Sequence, residues 1–137
     1  MSVITDLIRT EEDGSISFGN YELDAKAKKS DYEVRGDRYK VKTFKESTRL
    51  EKNDSMLYES EPGTAVTNFT ENEDGVSFTV EGPEDCQIVL CLAEDTTYRV
   101  EIDGEDTGMM ESGMGGKLVL SVELGAADAV NVKVTKA

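Results

Sequence analysis

Short runs in which apolar and polar residues alternate cover most of this chain, and they predict β-strands. Val76, Phe78 and Val80 alternate with Ser77 and Thr79, which places the three apolar side chains on one face of a strand. Similar runs recur along the chain, bounded by turn-forming residues. The predicted strands cover residues 3–9, 15–18, 32–35, 38–44, 47–52, 55–60, 64–70, 76–80, 86–92, 98–102, 107–110, 118–124 and 130–134.

Residue pairs that favour tight turns separate these runs. Asp-Gly occurs at Asp13-Gly14, Asp74-Gly75 and Asp103-Gly104, and Gly36-Asp37 and Asn53-Asp54 lie between two of them. A two-residue type I′ turn needs a positive φ at both central residues, and Asp or Asn followed by Gly adopts this conformation readily. The sequence therefore predicts a series of β-hairpins and an antiparallel all-β fold.

One stretch, residues 20–31, has a helical alternative. Asp24 could cap a turn that contains Ala25 to Lys29. The stretch has no apolar stripe, however, so a loop or an isolated turn is the better prediction. Residues 86–92 differ in the opposite way, because they are nearly all apolar. This favours a central strand that is covered on both faces.

The length of 137 residues fits a single β domain over residues 1–137. About a dozen short strands indicate an antiparallel β-sandwich or a partly closed barrel. The sequence Glu61-Pro62-Gly63 is the strongest break in the pattern, and it marks a possible subdivision near Pro62-Gly63.

The net charge of −14 is distributed unevenly. Residues 1–53 contain 11 basic and 11 acidic residues, whereas residues 54–137 contain 4 basic and 18 acidic residues. Such an acidic surface repels nucleic acids and anionic membranes, which argues against both as partners. A neutral, lysine-bearing half could instead meet the acidic half of a second copy, so we predict a homo-oligomer.

The cysteines and the start of the chain indicate a cytoplasmic protein. Cys86 and Cys91 fall on one predicted strand, where their Cα atoms would lie roughly 16 Å apart, too far for a disulfide. Free thiols suit a reducing compartment, and burial of both is expected for this residue type. Residues 1–10 lack the apolar stretch of a signal peptide, and no run of about 20 apolar residues could cross a membrane.

Few residue types in the chain suit catalysis or metal binding. The absence of histidine excludes Ser-His-Asp and Cys-His catalysis and His-ligated zinc or iron, and no cofactor is predicted. Carboxylates are plentiful, so glycoside hydrolysis by a carboxylate pair stays open, although no pair stands out. Asp103, Glu105 and Asp106 form a candidate cation site at a predicted hairpin tip, although they do not match the EF-hand loop.

Tyrosines are the candidate ligand-binding residues, because sugars stack their C–H faces on aromatic rings. Tyr32 and Tyr58 are the candidates for such a platform. Tyr39 and Tyr98 lie in phase with neighbouring apolar positions, which predicts that they pack in the core.

Residues 39–43 (YKVKT), 58–66 (YESEPGTAV) and 115–118 (GGKL) resemble a group of short bacterial proteins described as endosialidases. The resemblance covers nearly the whole chain and implies hydrolysis of sialic-acid glycans, but it assigns no catalytic residue. Residues 98–104 and 116–120 are also similar to small β-sandwich modules attached to carbohydrate-active enzymes. Our leading hypothesis is a non-catalytic β-sandwich that acts by interaction or self-assembly, and the alternative is a carbohydrate-binding or carbohydrate-processing module.

Overall fold

The computed structural model describes residues 3–124 and 129–137. Within these ranges no helix is long and apolar enough to cross a membrane. The described residues form thirteen strands and one short 3₁₀ turn at Met114–Gly116. The strands are β1 (Ile8–Thr10), β2 (Ile16–Phe18), β3 (Ala27–Val34), β4 (Asp37–Phe44), β5 (Ser47–Lys52), β6 (Ser55–Glu61), β7 (Ala65–Asn72), β8 (Gly75–Glu81), β9 (Cys86–Cys91), β10 (Thr97–Ile102), β11 (Glu105–Glu111), β12 (Lys117–Val122) and β13 (Val130–Lys136).

Two antiparallel sheets contain these strands, which confirms the all-β prediction. The first sheet has seven strands in the order β1-β2-β7-β8-β13-β10-β11, and the second has six in the order β12-β9-β6-β5-β4-β3. They pack as a sandwich, and the described strands do not close into a barrel. Edge strands β1 and β3 contact each other on one lateral side of the sandwich, which leaves β11 and β12 as the edge strands of the other side.

The core lies between the sheets and follows the alternation seen in the sequence. On β8, for example, Val76, Phe78 and Val80 are buried while Ser77 and Thr79 are not. Burying these apolar side chains supplies the main driving force for folding. An aromatic cluster with mostly edge-to-face contacts joins the two sheets near the middle of the core; its rings are Phe18, Tyr58, Phe69 and Phe78.

The turn prediction is correct for some hairpins and wrong for others. Asn53-Asp54 and Asp103-Gly104 have positive φ at both residues, as a type I′ turn requires. The turn between β3 and β4 is at Arg35-Gly36, one residue earlier than predicted. The turn between β7 and β8 is at residues 73–74, because the Asn72 carboxamide accepts hydrogen bonds from the backbone N–H groups of residues 74 and 75. Asp13 also lacks a positive φ, so Asp13-Gly14 is not a type I′ pair.

Two further predictions need correction. Residues 20–26 lie outside strands, as expected, but Ala27–Val34 forms an eight-residue strand where a loop or turn was expected up to residue 31. β9 is not covered on both faces either: Gln87 is exposed and Val89 is partly exposed, because this strand has one face on the solvent. Cys86 and Cys91 are free and lie at the two ends of β9, but only Cys86 is buried.

Candidate functional site

Tyr58, one of the two predicted sugar-stacking residues, lies inside the core. Its side chain is fully buried, and its ring contacts Phe18 and Phe78 with centroids 5.3 and 5.6 Å away. Burial raises the pKa of its hydroxyl. The prediction that Tyr58 binds a ligand at the surface is therefore wrong: neither face of its ring reaches solvent.

A buried polar network holds the Tyr58 hydroxyl. The Thr64 hydroxyl lies 2.8 Å from both the Tyr58 hydroxyl and the Ser60 hydroxyl. The Thr48 hydroxyl donates to the Thr64 carbonyl, accepts from the Thr64 N–H, and lies 2.8 Å from the Thr43 hydroxyl. These bonds tie β4, β5 and β6 of the second sheet to the start of β7 in the first. The network is structural, since its hydroxyls satisfy one another inside the core.

Tyr32 lies on edge strand β3 and stays partly accessible. Its hydroxyl lies 2.9 Å from the Thr10 hydroxyl on β1. The Lys29 ammonium is positioned 5.5 Å from the centre of its ring. Tyr32 therefore links the edges of the two sheets, and the Lys29 side chain occupies one approach to its ring.

The predicted cation site does not form as a cluster. Asp103 accepts a hydrogen bond from the Asn131 N–H, and Asp106 accepts bonds from the Gly108 N–H and the Arg99 guanidinium. These bonds lower the pKa of Asp106. Glu105 is exposed on β11. Across residues 3–124 and 129–137, no group of three acidic or cysteine side chains could hold a metal ion. The two aspartates instead stabilise the β10–β11 hairpin and its contact with β13.

A small, partly enclosed cavity lies at one end of the sandwich. It encloses about 140 Å³, which is below the roughly 300–1,000 Å³ of small-molecule sites. Its wall includes the turn between β1 and β2 and the turn between β3 and β4, together with inward side chains of β4, β5 and β7. The principal lining residues are Asp13, Arg35, Asp37, Tyr39, Lys52, Phe69 and Glu71.

Lys52 forms two ion pairs in this cavity. Its ammonium donates to Glu71 at 2.7 Å and lies 3.7 Å from Asp37. The hydrogen bond to Glu71 raises the pKa of Lys52, and burial raises the pKa of the neighbouring Tyr39. Both carboxylates face the same cation. This arrangement differs from the free acid and base that glycoside hydrolysis uses, and it joins β5 of one sheet to β7 of the other.

The outer face of the second sheet changes from cationic to apolar across its strands. Lys28, Lys42 and Arg49 are directly opposite one another on β3, β4 and β5. Arg49 is opposite Glu59 on β6, and Val89 and Val119 continue the row on β9 and β12. The lysine-bearing half of the sequence therefore forms one side of this face, and an apolar pair forms the other.

Exposed large apolar side chains lie on the strands at the β11–β12 side of the sandwich. In the described part of the chain the large hydrophobic side chains that are exposed are Met109, Met114 and Val119, with 58%, 92% and 39% of their surface accessible. Met109 lies on β11, Val119 lies on β12, and Met114 lies in the connection between them. We call these three residues the β11–β12 edge surface.

On the opposite lateral side, edge strands β1 and β3 are poorly suited to pair with a strand of another molecule. β1 has three residues, and β3 carries a bulge between Lys29 and Tyr32. Asp31, within the bulge, has a φ of 58°. Lysines, short strands and bulges are the usual devices that keep an edge strand from pairing with another molecule. The sandwich thus has one protected side and one side with apolar groups.

The sequence contained an indication that Val119 is an exposed apolar residue, but this indication was missed. The run from Lys117 to Glu123 alternates apolar and polar residues, and Val119 stands at a position where the alternation predicts a polar side chain. No pattern in the sequence, however, identified β11 and β12 as the outermost strands.

Comparisons with protein-family models, with curated proteins and with solved structures found no match to this chain.

Proposed function

We propose that this chain is a non-catalytic β-sandwich protein that acts by self-association through the β11–β12 edge surface. One observation carries the proposal: the exposed large hydrophobic side chains of the described residues all fall between positions 109 and 119. Met109 faces outward from the first sheet and Val119 faces outward from the second, so these side chains flank the β11–β12 side of the sandwich on both of its faces. The group coincides with two strands that have a free backbone edge.

The asymmetry between the two lateral sides supports the proposal. On the β1–β3 side, the bulge at Lys29–Tyr32 and the bond between Thr10 and Tyr32 close the edge. On the other side, β12 keeps a regular ladder with β9 from Lys117 to Val122. Association at an open edge gains backbone hydrogen bonds as well as apolar contact.

The alternative proposal is a carbohydrate-processing or carbohydrate-binding module. Hydrolysis of sialic-acid glycans stays a prediction of the resemblance, and a carbohydrate platform would now depend on Tyr32 without Tyr58. We also propose a cytoplasmic location, which the free thiols of Cys86 and Cys91 support, since such compartments keep thiols reduced.

Sedimentation equilibrium tests self-association. The natural chain is compared, over micromolar to sub-millimolar concentrations, with the triple variant Met109→Gln, Met114→Gln and Val119→Thr. We expect the natural chain to form a species of at least twice the monomer mass, and the triple variant to remain monomeric. All three side chains are exposed, so the substitutions leave the core unchanged.

A matched variant on the protected side carries Lys28→Gln, Lys29→Gln and Ser30→Thr on β3. We expect it to associate as the natural chain does. A natural chain that stays monomeric throughout overturns the proposal. The proposal is also overturned if the β3 variant is monomeric while the triple variant still associates. In that case the lysines of β3 would form the interface.

A further inference from the structure

β12 is the edge strand best suited to pair with another strand. It forms six consecutive pairs with β9, from Lys117–Cys91 to Val122–Cys86, without a bulge. It contains no proline, and Lys117 is its one charged residue. No described strand lies on its other side. A regular, nearly uncharged edge of this kind is a template for strand addition.

β11, the other edge strand on this side, is less suitable. Its exposed residues include Glu105, Asp106 and Glu111, and its register with β10 shifts between Val100 and Glu101. Two copies of β11 would bring like charges together, which is unfavourable across a strand pair. β12, which has one charged residue, lacks this repulsion.

β12 and the two residues that follow it, Glu123 and Leu124, are complementary to their own reversed order. Lys117, Val119, Ser121 and Glu123 are exposed, and they alternate with buried Leu118, Leu120, Val122 and Leu124. The exposed row thus reads cation, apolar, polar, anion. In an antiparallel pair of two such strands, the cation of one meets the anion of the other.

We propose, as a deeper form of the self-association above and resting on it, that β12 pairs antiparallel with β12 of a second copy about a two-fold axis at Leu120. In this register Lys117 is opposite the partner's Glu123, and Val119 is opposite the partner's Ser121. Each ion pair occurs twice because the interface is symmetric. The two six-stranded sheets join into one continuous sheet.

Neighbouring registers lose these ion pairs. An axis at Val119 places Lys117 opposite the partner's Ser121, and an axis at Ser121 places Val119 opposite the partner's Glu123. A shift that pairs odd with even positions would bring buried side chains to the outer face, which the alternation forbids. Among these registers, the axis at Leu120 is the one that pairs both Lys117 and Glu123 with an opposite charge.

A charge exchange tests this register. Lys117→Glu places carboxylates opposite each other twice in the dimer, and Glu123→Lys places ammonium groups there. By sedimentation equilibrium we expect each single variant to weaken the dimer about tenfold or more. The double variant Lys117→Glu, Glu123→Lys recreates both pairs with reversed sign, and we expect its dissociation constant to return to within about threefold of the natural value.

Two further variants separate β12 from β11. Val119→Lys inserts a charge in the middle of the proposed pair and should weaken the dimer at least about tenfold. Met109→Lys makes the same change on β11, in the other sheet, and should weaken the dimer less than Val119→Lys does. Both positions are exposed, and far-ultraviolet circular dichroism confirms that each variant is folded.

The outcomes distinguish this inference from the proposed function. A natural chain that associates, while the double variant stays as weak as the single variants, overturns the β12 register but keeps self-association. The same conclusion follows if Met109→Lys disrupts the assembly and Val119→Lys does not. A natural chain that stays monomeric at all concentrations overturns both.

Discussion

The hydroxyl of Tyr58 lies 2.8 Å from the hydroxyl of Thr64, and both side chains are fully buried between the sheets. Thr64 is the last residue of the connection, residues 62–64, that passes from β6 in the second sheet to β7 in the first. Because Thr48 binds both backbone polar groups of Thr64, this crossing is held by hydroxyls in the core. An unpaired polar group at such a position costs free energy, so each member of the network should be sensitive to substitution.

We expect Thr48→Val to lower the free energy of unfolding by about 3 kcal/mol. Valine has nearly the shape of threonine, but it leaves the Thr64 N–H, the Thr64 carbonyl and the Thr43 hydroxyl without their shared partner. Tyr58→Phe removes one hydroxyl while Thr64 keeps its bond to Ser60, so a loss of about 1 kcal/mol is expected. Urea unfolding measures both values.

Thr67→Val, on the partly exposed face of β7, is the matched control. Because valine suits a strand and that hydroxyl is near solvent, we expect a change within about 0.5 kcal/mol. An equal effect of Thr48→Val and Thr67→Val would contradict the structural role of the network.

Alternation along the chain was sufficient to predict most of the strands and the all-β class, although it left a sandwich and a partly closed barrel as alternatives. A strand such as β8 can be read from Val76, Phe78 and Val80 alone, because one face of each strand is buried and the other is not. Thr43, Thr48 and Ser60 occupy inward positions of the same kind, yet they are polar. Their network escaped prediction because their partners come from other strands, and the alternation says nothing about those partners.

Sheet order is the part that local patterns could not supply. Lys52 and Glu71 belong to different sheets, and nothing near either residue indicates the other. The end cavity and the edge surface both depend on which strands are neighbours across or within the sheets. The turn prediction at Asp74-Gly75 was wrong for the same reason. Gly75 lies on β8, and it must be glycine because the Val134 carbonyl of the neighbouring strand β13 leaves no room for a Cβ.

The ion pair between Lys52 and Glu71 predicts a loss of stability at high pH. The pair raises the pKa of Lys52 above its unfolded value near 10.5, so its contribution is complete below that pH and is lost as pH rises through the folded pKa. Both side chains are over a quarter exposed, which limits the contribution to about 1 kcal/mol. We expect Lys52→Met to be destabilised relative to the natural chain by this amount at about pH 8, and by less at about pH 11.5.

Urea unfolding at both pH values makes this measurement. Lys40→Met, on the outer face of β4, is the control, and its difference from the natural chain should not depend on pH. A Lys52→Met difference that grows at high pH would have the wrong sign for a lysine with a raised pKa.

The two cysteines should react with iodoacetamide at different rates. Burial raises the pKa of the Cys86 thiol to about 11, and the side chain is closed off by the core. Burial also raises the pKa of Cys91, but this residue is partly exposed on the outer face of β9. Since the thiolate is the reactive form, we expect Cys91 to be alkylated at least about tenfold faster at about pH 8. Peptide mass spectrometry follows each site, and in urea the two rates should become similar.

Gly36 and Gly75 should respond very differently to alanine, although both have a positive φ. Gly36 has a φ of 84° in an open turn, with no atom within 4 Å of an added Cβ, so alanine costs only the backbone strain of about 1 kcal/mol. At Gly75 an added Cβ would lie 1.8 Å from the Val134 carbonyl oxygen on β13, so β8 and β13 must separate. We expect Gly75→Ala to cost at least about 3 kcal/mol in urea unfolding. Gly104→Ala, in an equally open turn, should match Gly36→Ala, and equal costs at Gly36 and Gly75 would mean that β13 does not pack this closely on β8.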